Sequence, residues 1–209
     1  MKVFIVGDVH GCYHTFKQLL DEYWDPTRMF LVQVGDLLNK GKHNADCFRF
    51  AKDLVKAYPY QAFFLKGNHE IKLLEPGKDR TALRVRREMK AEGIEPVKLK
   101  KWVDKLPLKW ETPNVLITHA GVAKGAIHPF SEESPRGVIH NRSALANIGK
   151  LQVIGHNMQE RGRPRFFRDS NAWCIDTGAV NGKRLTGMIL DHFGRVEKII
   201  SIPTLKIDL

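Results

Sequence analysis

Short apolar runs alternate with stretches whose apolar residues recur every three or four positions. Lys2-Val3-Phe4-Ile5-Val6 reads as a strand, and the segment after it places Phe16, Leu19, Leu20 and Tyr23 on one helix face. The pair repeats with a strand over residues 29–34 and a helix face of Phe48, Phe50, Leu54 and Val55, and a third strand follows at 61–66. Residues 79–92 predict a basic helix and 98–106 a shorter one. From residue 115 onward the rhythm changes. Segments 115–119, 151–156, 172–176, 185–190 and 196–200 read as strands with little helix between them, antiparallel in part. There is no repeat, no low-complexity tract and no linker long enough to divide the chain into separate domains. The pattern predicts an α/β sandwich of two β-sheets flanked by helices. It forms a single domain over 1–209 that carries a basic helical insert at about 76–110.

Composition narrows this reading. With 43% hydrophobic residues among 209, the chain can bury a real core and is not a disordered polyelectrolyte. No apolar run approaches the roughly 18 residues of a membrane-spanning helix, so no membrane association is expected. The opening run stops at Gly7-Asp8, short for a signal peptide. Cys12, Cys47 and Cys174 make neither a disulfide framework nor a zinc pattern, which points to a reducing, cytoplasmic setting.

The net charge of +11 is unevenly placed. Residues 76–110 hold eleven Lys/Arg against five Asp/Glu, and 161–168 hold four Arg and no acid, which together carry ten of the eleven excess charges. Such segments are either solvated faces or a rim that attracts phosphorylated or nucleic-acid partners. Arg161, Arg163, Arg165 and Arg168 alternate at roughly strand spacing, which suits nucleic-acid contact or an exposed hairpin equally.

Candidate chemistry stands at the strand ends. The first three strands run into Gly7-Asp8-Val9-His10-Gly11, Gly35-Asp36-Leu37-Leu38-Asn39-Lys40-Gly41 and Gly67-Asn68-His69-Glu70. Later come Thr118-His119-Ala120-Gly121 and Gly155-His156-Asn157. In α/β sheets, ligand sites gather beyond the carboxyl ends of strands, so these residues should converge. Glycine before each polar residue lets the backbone turn sharply and approach a ligand.

These motifs, in this order, resemble the calcineurin-type metallophosphoesterases. The likeness is to the branch of Ser/Thr protein phosphatases, their bacterial and phage relatives, and symmetrical diadenosine-tetraphosphate hydrolases. Two softer segments, WVDKLPLKWE and IDTGAVNGKRLTGMIL, extend the resemblance from residue 3 to about 190. The resemblance implies two divalent ions. Asp8, His10 and Asp36 would hold one, and Asp36 would bridge to a second completed by Asn68, His119 and His156. Carboxylate, imidazole and amide donors without thiolate suit manganese first, with iron, zinc, nickel or cobalt as alternatives. A metal-bridging hydroxide would attack phosphorus, His69 would protonate the leaving oxygen, and Lys40 and Arg142 would clamp the phosphate.

The second motif departs from the family's GDxxDRG, with Asn39 for Asp and Lys40 for Arg. The missing carboxylate normally orients the acid histidine and stabilises its protonated form. His69 should therefore be a poorer imidazolium, and good leaving groups should be favoured over alkyl phosphoserine. Asp104 is an alternative source of the missing carboxylate. His140 stands where the family usually has Trp, four residues after Arg136 and two before Arg142.

The resulting expectation is a two-metal phosphatase of the protein-phosphatase-like branch acting on phosphomonoesters, phosphoproteins among them. The alternative is a nucleotide or RNA-end phosphoesterase or dinucleoside polyphosphate hydrolase, and a non-catalytic binding module comes last because all six ligand positions are filled. Outside the motifs, His14, His43, His128 and His192 read as structural, Cys12 as a small buried filler, and Trp102, Trp110 and Trp173 as core. Glu70 is expected to brace its loop by hydrogen bonds rather than bind metal.

Overall fold

The structure is a computed structural model and describes residues 1–75, 77 and 79–209. It contains β1 (Lys2–Val6), α1 (Tyr13–Tyr23), β2 (Met29–Gln33), α2 (Asn44–Ala57), β3 (Ala62–Phe64), α3 (Asn68–Leu74), α4 (Arg80–Ala91) and α5 (Pro96–Val103). Then follow β4 (Lys109–Glu111), β5 (Val115–Thr118), β6 (Leu151–Ile154), β7 (Arg165–Phe167), β8 (Ala172–Cys174), β9 (Arg184–Leu190) and β10 (Val196–Pro203). One sheet has the order β10-β9-β1-β2-β3 and the other β4-β5-β6-β8-β7.

Each sheet has a parallel centre and antiparallel edges. β1, β2 and β3 run parallel while β9 and β10 add antiparallel partners. In the second sheet β5, β6 and β8 run parallel, flanked antiparallel by β4 and β7. Side chains of β1 alternate between two cores, as the period of a strand requires. Val3 and Ile5 pack between the sheets with Val32, Ile117 and Val153, whereas Phe4 and Val6 face α1 and α2 with Phe16, Leu19 and Phe48. Burying each such side chain stabilises the fold by about 1.5–3 kcal/mol relative to exposure.

The predicted strands and helices are present, with informative differences. Val55, placed on the buried face by its apolar character, is exposed. The pattern gave no sign of α3, which begins inside the GNHE motif, or of the three-residue strands β4 and β7. β7 pairs antiparallel with β8, so the arginine stretch ends in a hairpin. Within the basic segment 76–110, Pro76 and Lys78 lie outside the described residues, and the remainder forms α4, α5 and β4. Asp79 caps α4 by accepting from the Thr81 and Ala82 amides.

Helix α1 has no local side-chain cap. Asp208, in a single 3-10 turn near the carboxyl end, accepts the His14 and Thr15 amides at 3.1 and 2.8 Å and the Thr15 hydroxyl at 2.6 Å. A carboxylate at this end also complements the helix dipole. No helix among the described residues is long and apolar enough to cross a membrane.

Candidate active site

The six parallel strands of the two sheets direct their carboxyl ends toward one cleft, and the predicted site residues sit in the loops there. Ladder pairing continues past the strands: Val34 N–H donates to Val6, Leu65 to Gln33, Gly155 to His119 and Ile175 to Ile154. This extension sets the loops at fixed separations.

Glu70, fully buried on α3, braces these loops. Its Oε2 accepts the Asp36 and Gly67 amides at 2.9 and 3.0 Å, and its Oε1 accepts the Leu38 amide at 2.9 Å. Burial, then the neighbouring Asp36, pushes its carboxyl up to about 7. Asn44 holds the next turn by accepting the Asn39 amide and donating to the Gly41 carbonyl. Close approach explains two glycines. A Cβ on Gly67 would collide with Asp36, and one on Gly155 with the Asp8 carboxylate.

Asp36 is the hub. Its Oδ2 lies 3.5 Å from His10 Nε2 and 3.4 Å from His119 Nε2. His10 Nδ1 lies 3.1 Å from the Leu38 carbonyl and His119 Nδ1 lies 3.2 Å from that of Val34. A carbonyl can only accept, so each Nδ1 carries the proton. Burial keeps His10 neutral with an Nε2 lone pair, whereas against burial the neighbouring Asp36 pushes the His119 imidazole up, toward a second proton that a cation would displace. His119 Nε2, His156 Nδ1 and Asn68 Oδ1 lie within 3.1 Å of one another. His156 Nε2 is buried with no hydrogen-bond partner among the described residues. Two imidazoles, an amide oxygen and a carboxylate, turned inward and short of donors, fit a divalent cation of borderline hardness.

Ligand-capable atoms of Asp36, His119 and His156 group together within 4.8 Å, and so do those of His10, Asp36 and His69. Asp8 stands at the edge of these groups, its carboxylate accepting the His156 amide at 3.1 and 3.2 Å. Burial, then Asp176 and Asp36, raises the Asp8 carboxyl well above its usual value. Asp176, which no motif in the sequence singles out, is itself buried at the cleft. Its IDTG setting stands out only through the family resemblance.

Electrostatics keep the cluster ready for cations. Burial alone would raise Asp36, but the charge and hydrogen bond of His119 beside it hold it well below the usual carboxylate range. Burial lowers His10 to about 4, His69 to about 3 and His156 to about 2, with His119 and Arg142 adding to the last. These imidazoles are neutral at pH 7 and free to ligate.

The amide of Asn39 is fixed at both ends. Its Oδ1 accepts the Lys40 amide at 2.9 Å, so its Nδ2 faces His69 Nδ1, also at 2.9 Å. An NH2 group can only donate, so His69 Nδ1 accepts and the ring proton lies on Nε2. Lys40 Nζ reaches His10 Nε2 at 3.0 Å. Arg142 donates to Asn157 Oδ1 at 3.1 Å from the cleft wall. Arg84 of α4, which the sequence does not flag, donates to the Lys40 and Gly41 carbonyls and so supports the turn that presents Lys40.

The residues read as structural lie elsewhere. His14 and His43 pack edge to face at 4.7 Å beside Asp208. Cys12 is buried, its thiol pushed up to about 12 by burial. Trp102 packs on Phe48, Trp110 on Phe30 and Phe63, and Trp173 on Phe166.

The profile of the calcineurin-like phosphoesterase family matches residues 1–180. The asymmetrical bis(5'-nucleosyl)-tetraphosphatase PrpE of Halalkalibacterium halodurans is 28% identical, over 98% of this chain and 94% of its own length. The symmetrical bis(5'-nucleosyl)-tetraphosphatase of Haemophilus influenzae is 33% identical, over 92% of this chain and 69% of its own. The chain spans about half of some other symmetrical enzymes, 46% in the case of Glaesserella parasuis. A crystal structure of a proposed diadenosine tetraphosphatase superposes with a TM-score of 0.71 at 25% identity, covering 98% of this chain and 94% of that one. A cold-active protein-tyrosine phosphatase of a Shewanella species shares the fold with a TM-score of 0.71 at 17% identity, over 96% and 80%.

Proposed function

Because this chain belongs to the calcineurin-like phosphoesterase family, and is thus a hydrolase of phosphoester bonds dependent on divalent metal ions, we propose that its substrates are nucleoside polyphosphates cleaved at a phosphoanhydride. The relatives named bis(5'-nucleosyl)-tetraphosphatases favour this class over phosphoproteins. The observation that carries the choice is the hydrogen bond from Asn39 Nδ2 to His69 Nδ1.

In our reading Asp8, His10 and Asp36 would hold one ion, and Asp36, Asn68, His119 and His156 would hold a second. Manganese is the first choice for this nitrogen and oxygen donor set. Such ions, when bound, supply Lewis acidity toward the phosphoryl oxygens and lower the pKa of water. Lys40 and Arg142 orient the phosphoryl oxygens, Arg142 with a planar fork and Lys40 with a point charge.

His69 then presents Nε2–H to the leaving oxygen. A second proton on Nδ1 would meet the Asn39 NH2, and turning that amide would forfeit the Lys40 amide bond. His69 therefore hydrogen-bonds the departing oxygen without serving as a strong acid. A nucleotide leaving from an anhydride departs as a stable anion and tolerates this, whereas a serine alkoxide does not.

The test strips the protein of metal, restores Mn2+ and compares rates on diadenosine tetraphosphate, p-nitrophenyl phosphate and a phosphoserine peptide. The dinucleotide should be turned over fastest and the peptide slowest. Asn39→Asp should narrow that gap by about tenfold or more, since general acid catalysis is worth roughly 10²–10⁴. A wild type indifferent to the leaving group, or a gap unmoved in the variant, overturns the reading.

A further inference from the structure

The cleft, about 1000 Å³, does not stop at the metal-capable cluster. From His10, His69 and His156 it runs on along residues 157–165, with Asp176, Gly178, Val180 and Asn181 also lining it. Arg161, Arg163 and Arg165 all line that extension and are exposed. None of the three guanidinium groups has a hydrogen bond or ion pair among the described residues, although Arg165 lies over the Phe167 ring at 4.9 Å.

The backbone that bears them is well tied. The Gln159 amide donates to the Asp176 carbonyl at 3.0 Å, and the Gly162 amide to Gln159 at 2.9 Å. Gln159 Nε2 donates to the Asn157 carbonyl, Lys183 to the Glu160 carbonyl at 2.6 Å, and β7 pairs with β8. Three planar cations are thus held on an anchored wall, and of the acids in the cleft only Glu160 belongs to that wall.

The basic helix α4 is different. There Arg84 is bound to Glu88 and to the Lys40 turn, and Arg86 to the Glu75 carbonyl. Those charges serve the fold, whereas the charges of 161–165 face open cleft.

One phosphate at the cluster is already provided with Lys40 and Arg142. Three further guanidinium forks along the same cleft match anionic oxygens continuous with that phosphate but displaced along it. The geometry points to a subsite on Arg161, Arg163 and Arg165 for the non-transferred phosphates of a linear oligophosphate. This deepens the nucleoside-polyphosphate reading and rests on it for the identity of the substrate. It assigns selectivity for chain length to this arginine-bearing segment.

The experiment uses the full Mn2+-loaded chain with Arg163→Gln, Arg165→Gln and the double variant, whose exposed, unpaired side chains leave folding intact by thermal melt. The KM for diadenosine tetraphosphate, taken relative to that for p-nitrophenyl phosphate, should rise about tenfold per arginine lost, the magnitude of one charge-assisted hydrogen bond. Inorganic tripolyphosphate should inhibit p-nitrophenyl phosphate hydrolysis by the wild type, and its inhibition constant should weaken in parallel, while that of orthophosphate moves less. Arg163→Lys should recover some of the loss.

Tripolyphosphate and the dinucleotide weakening together supports a site for the phosphate chain itself. A change confined to the dinucleotide, or a relative KM that stays put, overturns it. A single-stranded oligonucleotide without a terminal phosphate that competes as well as tripolyphosphate also overturns it, in favour of nucleic-acid backbone binding. The two readings fail separately. Dinucleotide turnover indifferent to the arginines removes the subsite and leaves the activity. Arginine-dependent inhibition by tripolyphosphate without dinucleotide turnover keeps the subsite and removes the activity.

Discussion

Six non-glycine residues have left-handed backbone among those described, and five of them, His10, Asp36, Asn39, Lys40 and His156, are site residues. Each such conformation costs an L-residue roughly 1–2 kcal/mol, and glycine would remove that cost. The strain is tolerated because the surrounding loops over-determine the turns and because the side chains are needed where they are. The fixed tautomers have a measurable consequence. His10 is held near 4 in the fold by burial but near 6.5 in an unfolded chain, so unfolding takes up a proton between these values. Its effect on stability is therefore neutral above pH 6.5 and becomes increasingly destabilising as the pH falls toward 4. With metal chelated, the stability of the wild type relative to His10→Asn should drop by on the order of 2 kcal/mol between about pH 7.5 and about pH 5. Denaturant titrations of both proteins at the two pH values measure it, and a constant difference would mean that the ring is not buried neutral.

Helix α3 shows how an element too short to be stable alone can organise a site. Its seven residues deliver Asn68, His69 and Glu70, and Glu70 in turn binds three amides of two loops. Removing that carboxylate leaves those buried N–H groups unpaired. Glu70→Ala should lower unfolding free energy by roughly 3 kcal/mol or more, and Glu70→Gln, which keeps one acceptor, by less. Equal and small losses in the two variants would show that the carboxylate is dispensable. Glu70 was readable in sequence as a brace because it ends a glycine-led motif, and the polar residues that gather at the cleft were readable because each follows an apolar run. The helix was not, since two turns beginning inside a motif give no apolar period. β4 and β7 escaped because three-residue edge strands are defined by their partners rather than by alternation. The stretch between β5 and β6 has an isolated bridge, Ala123 to Leu145, and is held by backbone bonds within itself, such as Val138 N–H to Pro129, and by long-range pairs such as Lys66 with Glu132. The role of Arg84 in holding the Lys40 turn could not be found locally, because the two carbonyls it supports lie more than forty residues earlier.

At the scale of the whole molecule, the excess charge divides by use. On α4 Arg84 and Arg86 are engaged with the fold, whereas Arg161, Arg163 and Arg165 line the cleft. Binding of a polyanion should therefore weaken steeply with salt. The KM for diadenosine tetraphosphate should rise several-fold between low and physiological ionic strength while that for p-nitrophenyl phosphate changes little, and parallel slopes would argue for a diffuse field instead. The division of the ligand set between sheets has another consequence. Asp8, His10, Asp36 and Asn68 hang from one sheet, and His119 and His156 from the other. An ion shared by them would rivet the sandwich, adding stability by mass action of about 2.7 kcal/mol at a hundredfold excess over its dissociation constant. The melting temperature should rise with Mn2+ concentration and fall on chelation, and in His119→Ala that dependence should largely vanish. In a cell, the lifetime of this protein would then follow the supply of the ion, with scarcity thinning the enzyme population through proteolysis as well as silencing its members.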